Sequence, residues 1–363
     1  MTARRPAVRA RPAATRGGTR RIRSALLVFA LLLGSPDASR ADSRLAYLAR
    51  LGLGQARLLL SREPITPELI ATLEPAEQRA LERLRAALAF GESLGLAKTT
   101  SYRDLVGERG SGLVHVLTAA PVNRVEALTW WFPITGSVSY RGYFQKERAD
   151  EFAAELAAKG NDTYIRPAPL YSTLGWFDDP IPRAVLAWPD AELVDTFLHE
   201  LVHQTVFVPG EIAYDEALAS FIAHHATLAF LATDPEARAR AAAGFADELT
   251  FAALVDELRQ ELEAIYANEP TLVQAFRLRA PVFARFQGEV FASKPWRSKR
   301  YARFPELALS NAWLAAHQTY VGELPCFEAE LAQLGGDLAA FVRAHIDDPG
   351  HRFGACRPDD TGP

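Results

Sequence analysis

The sequence predicts a mostly helical α+β protein, with one small mixed sheet packed on a central motif helix and a helical C-terminal part. Three observations predict it. Long stretches rich in Ala, Leu, Glu and Arg carry apolar residues at helical spacing. β-Branched and aromatic residues concentrate between Val114 and Phe144. That region precedes a helix, Asp190 to Val206, which contains His199-Glu200-Leu201-Val202-His203.

The chain has 363 residues, 49% of them apolar, enough to bury one large core. Net charge is −4, and the basic residues crowd at the N-terminus instead of forming a stripe along the folded part, which excludes a nucleic-acid-binding face. Arg4, Arg5, Arg9, Arg11, Arg16, Arg20, Arg21 and Arg23 precede the apolar run Ala25 to Leu33. Charge followed by a short apolar run reads as a signal peptide over residues 1–41. The run is too short to span a bilayer, which takes about 20 residues, and Ser39-Arg40-Ala41 suits cleavage before Asp42. Residues 42–363 are expected to form one exported domain with no membrane span left after signal removal. Arg20-Arg21 also permits the twin-arginine route. Two cysteines, Cys326 and Cys356, stand outside any metal-binding spacing; in an oxidising compartment they either pair or stay as free thiols.

Within the domain, the helical part 42–110 rests on Leu45 to Leu60 and Pro67 to Gly95, separated by Pro64 and Pro67. The sheet part, 111–182, rests on strands around Val125 to Pro133 and Ser137 to Phe144, turning at Ile134 to Gly136. It also holds a helix from Lys146 to Lys159 and an extended, Pro- and aromatic-rich segment from Thr163 to Pro182. Residues 190–232 hold Asp190 to Val206, a break at Pro209-Gly210, and Tyr214 to Ala232. The helical part 233–363 contains Asp234 to Ala267, Thr271 to Gln287, and two more helices between Ser310 and Val342.

Helical residues at i and i+4 share one face, so His199 and His203 can present two imidazoles to one ion. Glu200 then lies where it can take a proton from a water attacking a carbonyl; this is the chemistry of a zinc ion with three protein ligands and an open position. Leu193, Val194, Phe197, Leu198, Leu201 and Val202 supply the apolar face that buries such a helix. A third ligand must come from elsewhere. Val206 and Pro209 stand where a metzincin extension would place Gly and the third His. A helix returning antiparallel after Pro209-Gly210 brings Glu216 beside the motif, with Ala217 and Ala219 allowing close approach and Ser220 one turn on. Asp215, Glu211, His224 and His225 compete for the ligand role.

Phe197 to Gln204 followed by Tyr214-Asp215-Glu216-Ala217-Leu218-Ala219-Ser220-Phe221 resembles the bacterial family described as predicted aminopeptidases. There, His-Glu-Leu-x-His-Gln precedes Asn-Glu-x-x-Ala-Thr-Phe. Tyr140 to Phe144, Tyr171 to Pro180, Leu309 to Ala312 and Gly335 to Leu338 extend the likeness over most of residues 42–363. The resemblance implies a zincin-like core and a cell-envelope location, with His199, His203 and Glu216 as Zn2+ ligands and Glu200 as the base. Asp215 stands where the family usually has Asn, adding charge beside the metal. Ser35 stands where family members commonly carry a lipoprotein cysteine, so the expectation is a periplasmic protein without a lipid anchor.

Asp215 and Ser220 are expected to support the ligands. Tyr171, Trp176 and Asp178 are expected on the peptide substrate, with Asp178 or Asp179 suited to a free α-amino group. The donor to the developing oxyanion is open among Tyr320, His317, Tyr171 and Tyr143, with Tyr320 put forward. The expected activity is a zinc peptidase, an aminopeptidase first. An envelope endopeptidase and an inactive zinc-binding scaffold are the alternatives, and oligomeric state has no signature in the sequence.

Overall fold

The computed structural model describes residues 44–107, 114–132, 136–168, 178–208, 210–268, 270–317 and 324–350. Two units divide the chain, residues 1–53 and 54–363. Residues 44–53, the described part of the first, are helical and belong to helix α1, Arg44–Leu60.

Strand β1 (Glu63–Pro64) is followed by helices α2 (Pro67–Thr72) and α3 (Pro75–Ser93). The sequence suggests one helix from Pro67 to Gly95, but the structure has two. Pro75 has no N–H and a fixed φ, so it opens a helix readily and continues one poorly. Glu74 and Glu77 close a capping box over that start, the Glu74 N–H donating to Glu77 Oε2 at 3.0 Å. Thr66 caps α2 by accepting from the Leu69 N–H.

Three small sheets occur among the described residues, where the sequence suggests one. Strand β2 (Asp104–Val106) pairs antiparallel with β1 and parallel with β8 (Ile181–Pro182). This mixed sheet packs on the motif helix, yet its strands are not those read from the sequence. The β-rich region forms a second, antiparallel sheet ordered β6 (Arg141–Tyr143), β3 (Val114–Pro121), β7 (Asn161–Ala168), plus a hairpin of β4 (Trp130–Phe132) and β5 (Gly136–Val138). Helix α4 (Lys146–Ala157) covers one face of that second sheet, with Arg141 lying 4.2 Å over the Phe152 ring.

The motif helix α5 (Asp190–Thr205) opens with Asp190 and Glu192, acids that suit the positive N-terminal end of a helix. Gly210, at φ 91°, turns the chain into α6 (Ile212–Phe230). Helix α7 (Pro235–Tyr266) and helix α8 (Leu272–Arg285) follow, the latter running into a π-helical turn at Phe286–Val290. Three helices close the described chain, α9 (Asn311–Ala316), α10 (Leu324–Gln333) and α11 (Leu338–Asp347), where the sequence suggests two. The difference comes from Gly335 and Gly336, both at positive φ, and from Asp337, which caps α11 through the Ala340 N–H.

Helix α5 is buried on two sides. Leu193 and Phe197 enter a cluster with Leu81, Leu84, Leu105 and Ile181 from α3 and the mixed sheet. Val194, Leu198, Leu201 and Val202 enter another with Ala217, Leu218, Phe221 and Ile222 of α6. At about 2 kcal/mol per fully buried apolar side chain, this packing holds the helix firmly enough to fix the direction of its polar face.

Candidate metal centre

The polar face of α5 carries His199 and His203 one turn apart, and α6 brings Glu216 against them. The two Nε2 atoms are 3.0 Å apart. Glu216 Oε2 lies 3.4 Å from His199 Nε2, and Glu216 Oε1 lies 3.5 Å from His203 Nε2. Zinc–nitrogen and zinc–oxygen bonds of roughly 2.0–2.2 Å at tetrahedral angles put donor atoms about 3.3 Å apart, so this spacing fits one small divalent cation. The donor set fits too. Two imidazoles and one carboxylate leave a fourth position open, the arrangement of catalytic rather than structural zinc. Among the described residues this is the one group of three or more His, Cys, Asp or Glu whose donor atoms converge, all within 4.8 Å.

The electrostatics show what the donors do to each other without an ion. Burial alone would raise the Glu216 pKa, but hydrogen bonds from His199 and His203 override it and hold the carboxyl well below its usual range. Burial works against charge on His203, yet the Glu216 carboxylate leaves its pKa raised. The site is thus a pre-formed negative charge with two imidazoles turned onto it.

Neighbouring groups hold α6 in register. Asp215 Oδ1 accepts the Val208 N–H at 2.9 Å and pins the loop before α6, while burial pushes its pKa up to about 6. The Tyr214 hydroxyl lies 2.7 Å from His345 Nδ1, and His345 Nε2 lies 3.3 Å from Glu330, a buried network under the first turn of α6. Ser220 is half-buried one turn after Glu216. His224 and His225 engage other groups. His224 Nε2 is 3.7 Å from Asp195 and its ring stacks on Phe245 at 3.9 Å, burial lowering its pKa to about 3; His225 meets Glu328 at 3.1 Å.

Glu200 is half-buried and has no hydrogen bond or ion pair among the described residues. Asp178 is exposed, with its carboxylate accepting the Thr100 hydroxyl, and Asp179 is buried. Tyr143 is buried on the α4 face of the sheet, its ring 6.4 Å from Phe152. His317 places Nδ1 2.8 Å from the Trp313 carbonyl. Tyr171, Trp176 and Tyr320 lie outside the described residues.

Two tyrosines emerge that sequence reasoning did not single out. Tyr140 exposes 49% of its surface while its hydroxyl is shielded; burial raises its pKa, the charges of Glu216 and Glu200 raise it further, and Arg166 opposes them. Tyr140 opens one of the stretches that carry the family resemblance, so a signal for it was present. Tyr102 receives a hydrogen bond from Gln204 and its hydroxyl feels Glu200, with burial raising its pKa well above the ordinary value. It is the one described non-glycine residue at positive φ, 66°, a conformation no sequence pattern announced.

No curated protein and no solved structure is detectably similar to this chain. A family model described as "Putative aminopeptidase" matches residues 46–347, a span that takes in α5, α6 and all three converging donors. With most of its length inside that match, the chain belongs to this aminopeptidase family.

Proposed function

We propose that the protein is a zinc-dependent aminopeptidase, exported and periplasmic, that hydrolyses peptide bonds at the His199, His203 and Glu216 centre. The observation that carries this reading is the convergence of those three donors at zinc spacing, with Glu200, which has no hydrogen bond or ion pair among the described residues, directly after His199. Membership in an aminopeptidase family supports the peptide as substrate. The Arg-rich start and the apolar run that follows it support export.

His199, His203 and Glu216 would hold the ion. When bound, zinc supplies an electrophile that acidifies water and polarises a carbonyl. The chain's own groups do the rest. The Glu200 carboxylate takes the proton of the attacking water and passes it to the leaving amine, so one group serves as base and then as acid. The Tyr140 hydroxyl, protonated as an ordinary phenol is and with its pKa raised further by burial, donates a hydrogen bond to the carbonyl oxygen as negative charge develops there.

The test is a panel of peptides with free and acetylated N-termini, cleaved by the zinc-loaded full chain and by Glu200→Gln. The reading expects free peptides to be cut from the N-terminus, acetylated ones to resist, and the variant to lose roughly 10²- to 10⁴-fold in kcat. Equal cleavage by the variant removes Glu200 from the chemistry. Equal cleavage of acetylated peptides removes the aminopeptidase assignment and leaves a peptidase.

A further inference from the structure

An open cleft of about 380 Å³ runs between helix α3 and the segment that leads into strand β2. Its helix side is a single stripe. Arg85, Leu88, Ala89 and Glu92 stand at i, i+3, i+4 and i+7 of α3, positions that share one helix face. Opposite them are Tyr102 and Arg103, with Ile65, the residue after β1. None of His199, Glu200, His203 and Glu216 lines this cleft, so it is distinct from the metal centre. Tyr102 is the wall it shares with the motif helix: the ring packs edge-on against Phe197 at 4.8 Å, and the hydroxyl accepts from Gln204 at 3.3 Å.

Opposite charges occupy opposite ends of the cleft. Arg85 and Glu92 are two turns apart on α3, about 10 Å at the helical rise. Arg103 belongs to the Arg85 end. Its carbonyl accepts the Ile65 N–H at 3.0 Å, and α2, which follows Ile65, is tied to the start of α3 where Gln78 Nε2 donates to the Ile70 carbonyl at 3.0 Å. Glu92 lies in the last turn of α3, where the helix's own terminal carbonyls add to its negative charge. The side chains of Arg85, Arg103 and Glu92 have no hydrogen bond or ion pair among the described residues. Between the two ends, Ile65, Leu88 and Ala89 make the surface apolar.

A cationic end, an anionic end and an apolar middle complement one kind of ligand, a short peptide with both termini free. Three extended residues span about 10 Å, the separation of the two ends, whereas a single amino acid carries both charges on one Cα and leaves one end unmet. We propose that this cleft is an accessory binding site for such a peptide. Arg85 and Arg103 hold its C-terminal carboxylate, which a guanidinium can grip through two parallel hydrogen bonds, and Glu92 holds its ammonium group. Its side chains lie along Leu88 and Ala89. The site has its own residues and does not depend on the zinc chemistry.

The test is calorimetric titration of the zinc-loaded full chain carrying Glu200→Gln, which prevents turnover, with trialanine, N-acetyl-trialanine and trialanine amide. Trialanine should bind roughly tenfold more tightly than either blocked form, as expected for one charged hydrogen-bonded contact at each end. Adding Arg85→Met with Arg103→Met should remove the preference over the amide and keep that over the acetylated peptide. Adding Glu92→Gln should do the reverse. Both preferences should persist after a chelator removes the zinc, which separates this cleft from the metal centre. Equal binding of the three peptides, absence of binding, preferences that survive the substitutions, or preferences that vanish with the zinc would each overturn the proposal. Should wild type cleave no peptide while Arg85, Arg103 and Glu92 still select trialanine, the peptidase reading fails and the cleft stands. Should cleavage proceed with no binding that depends on these three residues, the cleft fails and the peptidase stands.

Discussion

Tyr140 and Asp215 are the residues on which the site's chemistry can be tested one atom at a time. Removing only the Tyr140 hydroxyl, in Tyr140→Phe, should lower kcat by roughly 10²- to 10³-fold with little change in KM, because its bond strengthens only as the oxyanion forms. Steady-state kinetics on a free peptide checks this; a KM effect alone would make Tyr140 a binding group. Asp215 titrates near 6 in the fold against an ordinary 3.8, so the fold prefers it protonated. Its favourable contribution is complete below the unfolded value and is lost as pH rises through about 6. In zinc-free protein, Asp215→Asn should therefore gain stability over wild type as pH rises across that window, on the order of 1 kcal/mol, read by urea denaturation at several pH values. A constant difference across pH would contradict the buried-carboxylate account. At this scale His199 and His203 were legible because helical spacing alone puts i and i+4 on one face. Glu216 needed the guess of a returning helix. Tyr102 was invisible, since a positive φ depends on what the remaining chain places around it.

Helices were easier to read than strands, for a physical reason. The apolar stripe of α5 repeats over sixteen residues and specifies a helix by itself, whereas β1 and β8 are two residues each and exist only because β2 lies between them. Their pairing is between Glu63 and Leu105 and between Leu105 and Ile181, contacts that no local pattern encodes. Asn311 shows how one motif residue joins distant elements. Its side-chain amide donates to the carbonyls of Pro121, Val122 and Arg124 and accepts from Tyr266, which ties the end of β3 to α9 and α7. A close helix contact lies on the buried side of the motif helix. A Cβ at Gly91 of α3 would sit 2.9 Å from Leu201 and 3.0 Å from Leu198, both on the motif helix. Gly91→Val should destabilise the fold by about 1–3 kcal/mol through overpacking, measured as a lower denaturation midpoint. An unchanged midpoint would mean that α3 can retreat from α5 without cost.

For the whole molecule, the fold class was read correctly because composition and periodicity decide it: helices dominate and the sheets are small. No helix among the described residues is long and apolar enough to cross a membrane. One core cluster presses α5 against α6 and a second packs α5 on α3 and the mixed sheet, so the candidate metal site joins two helices of a large buried cluster. Zinc binding should then stabilise the entire fold, by about 4 kcal/mol when zinc exceeds its dissociation constant a thousandfold. The measurement that bears most directly on the central claim is the zinc content of purified protein after dialysis, by elemental analysis, for wild type and three variants. The prediction is one zinc per chain in wild type and in Glu200→Gln, and loss of zinc in His203→Ala and Glu216→Ala. A wild type without stoichiometric zinc, or a Glu216→Ala protein that keeps it, would contradict the account.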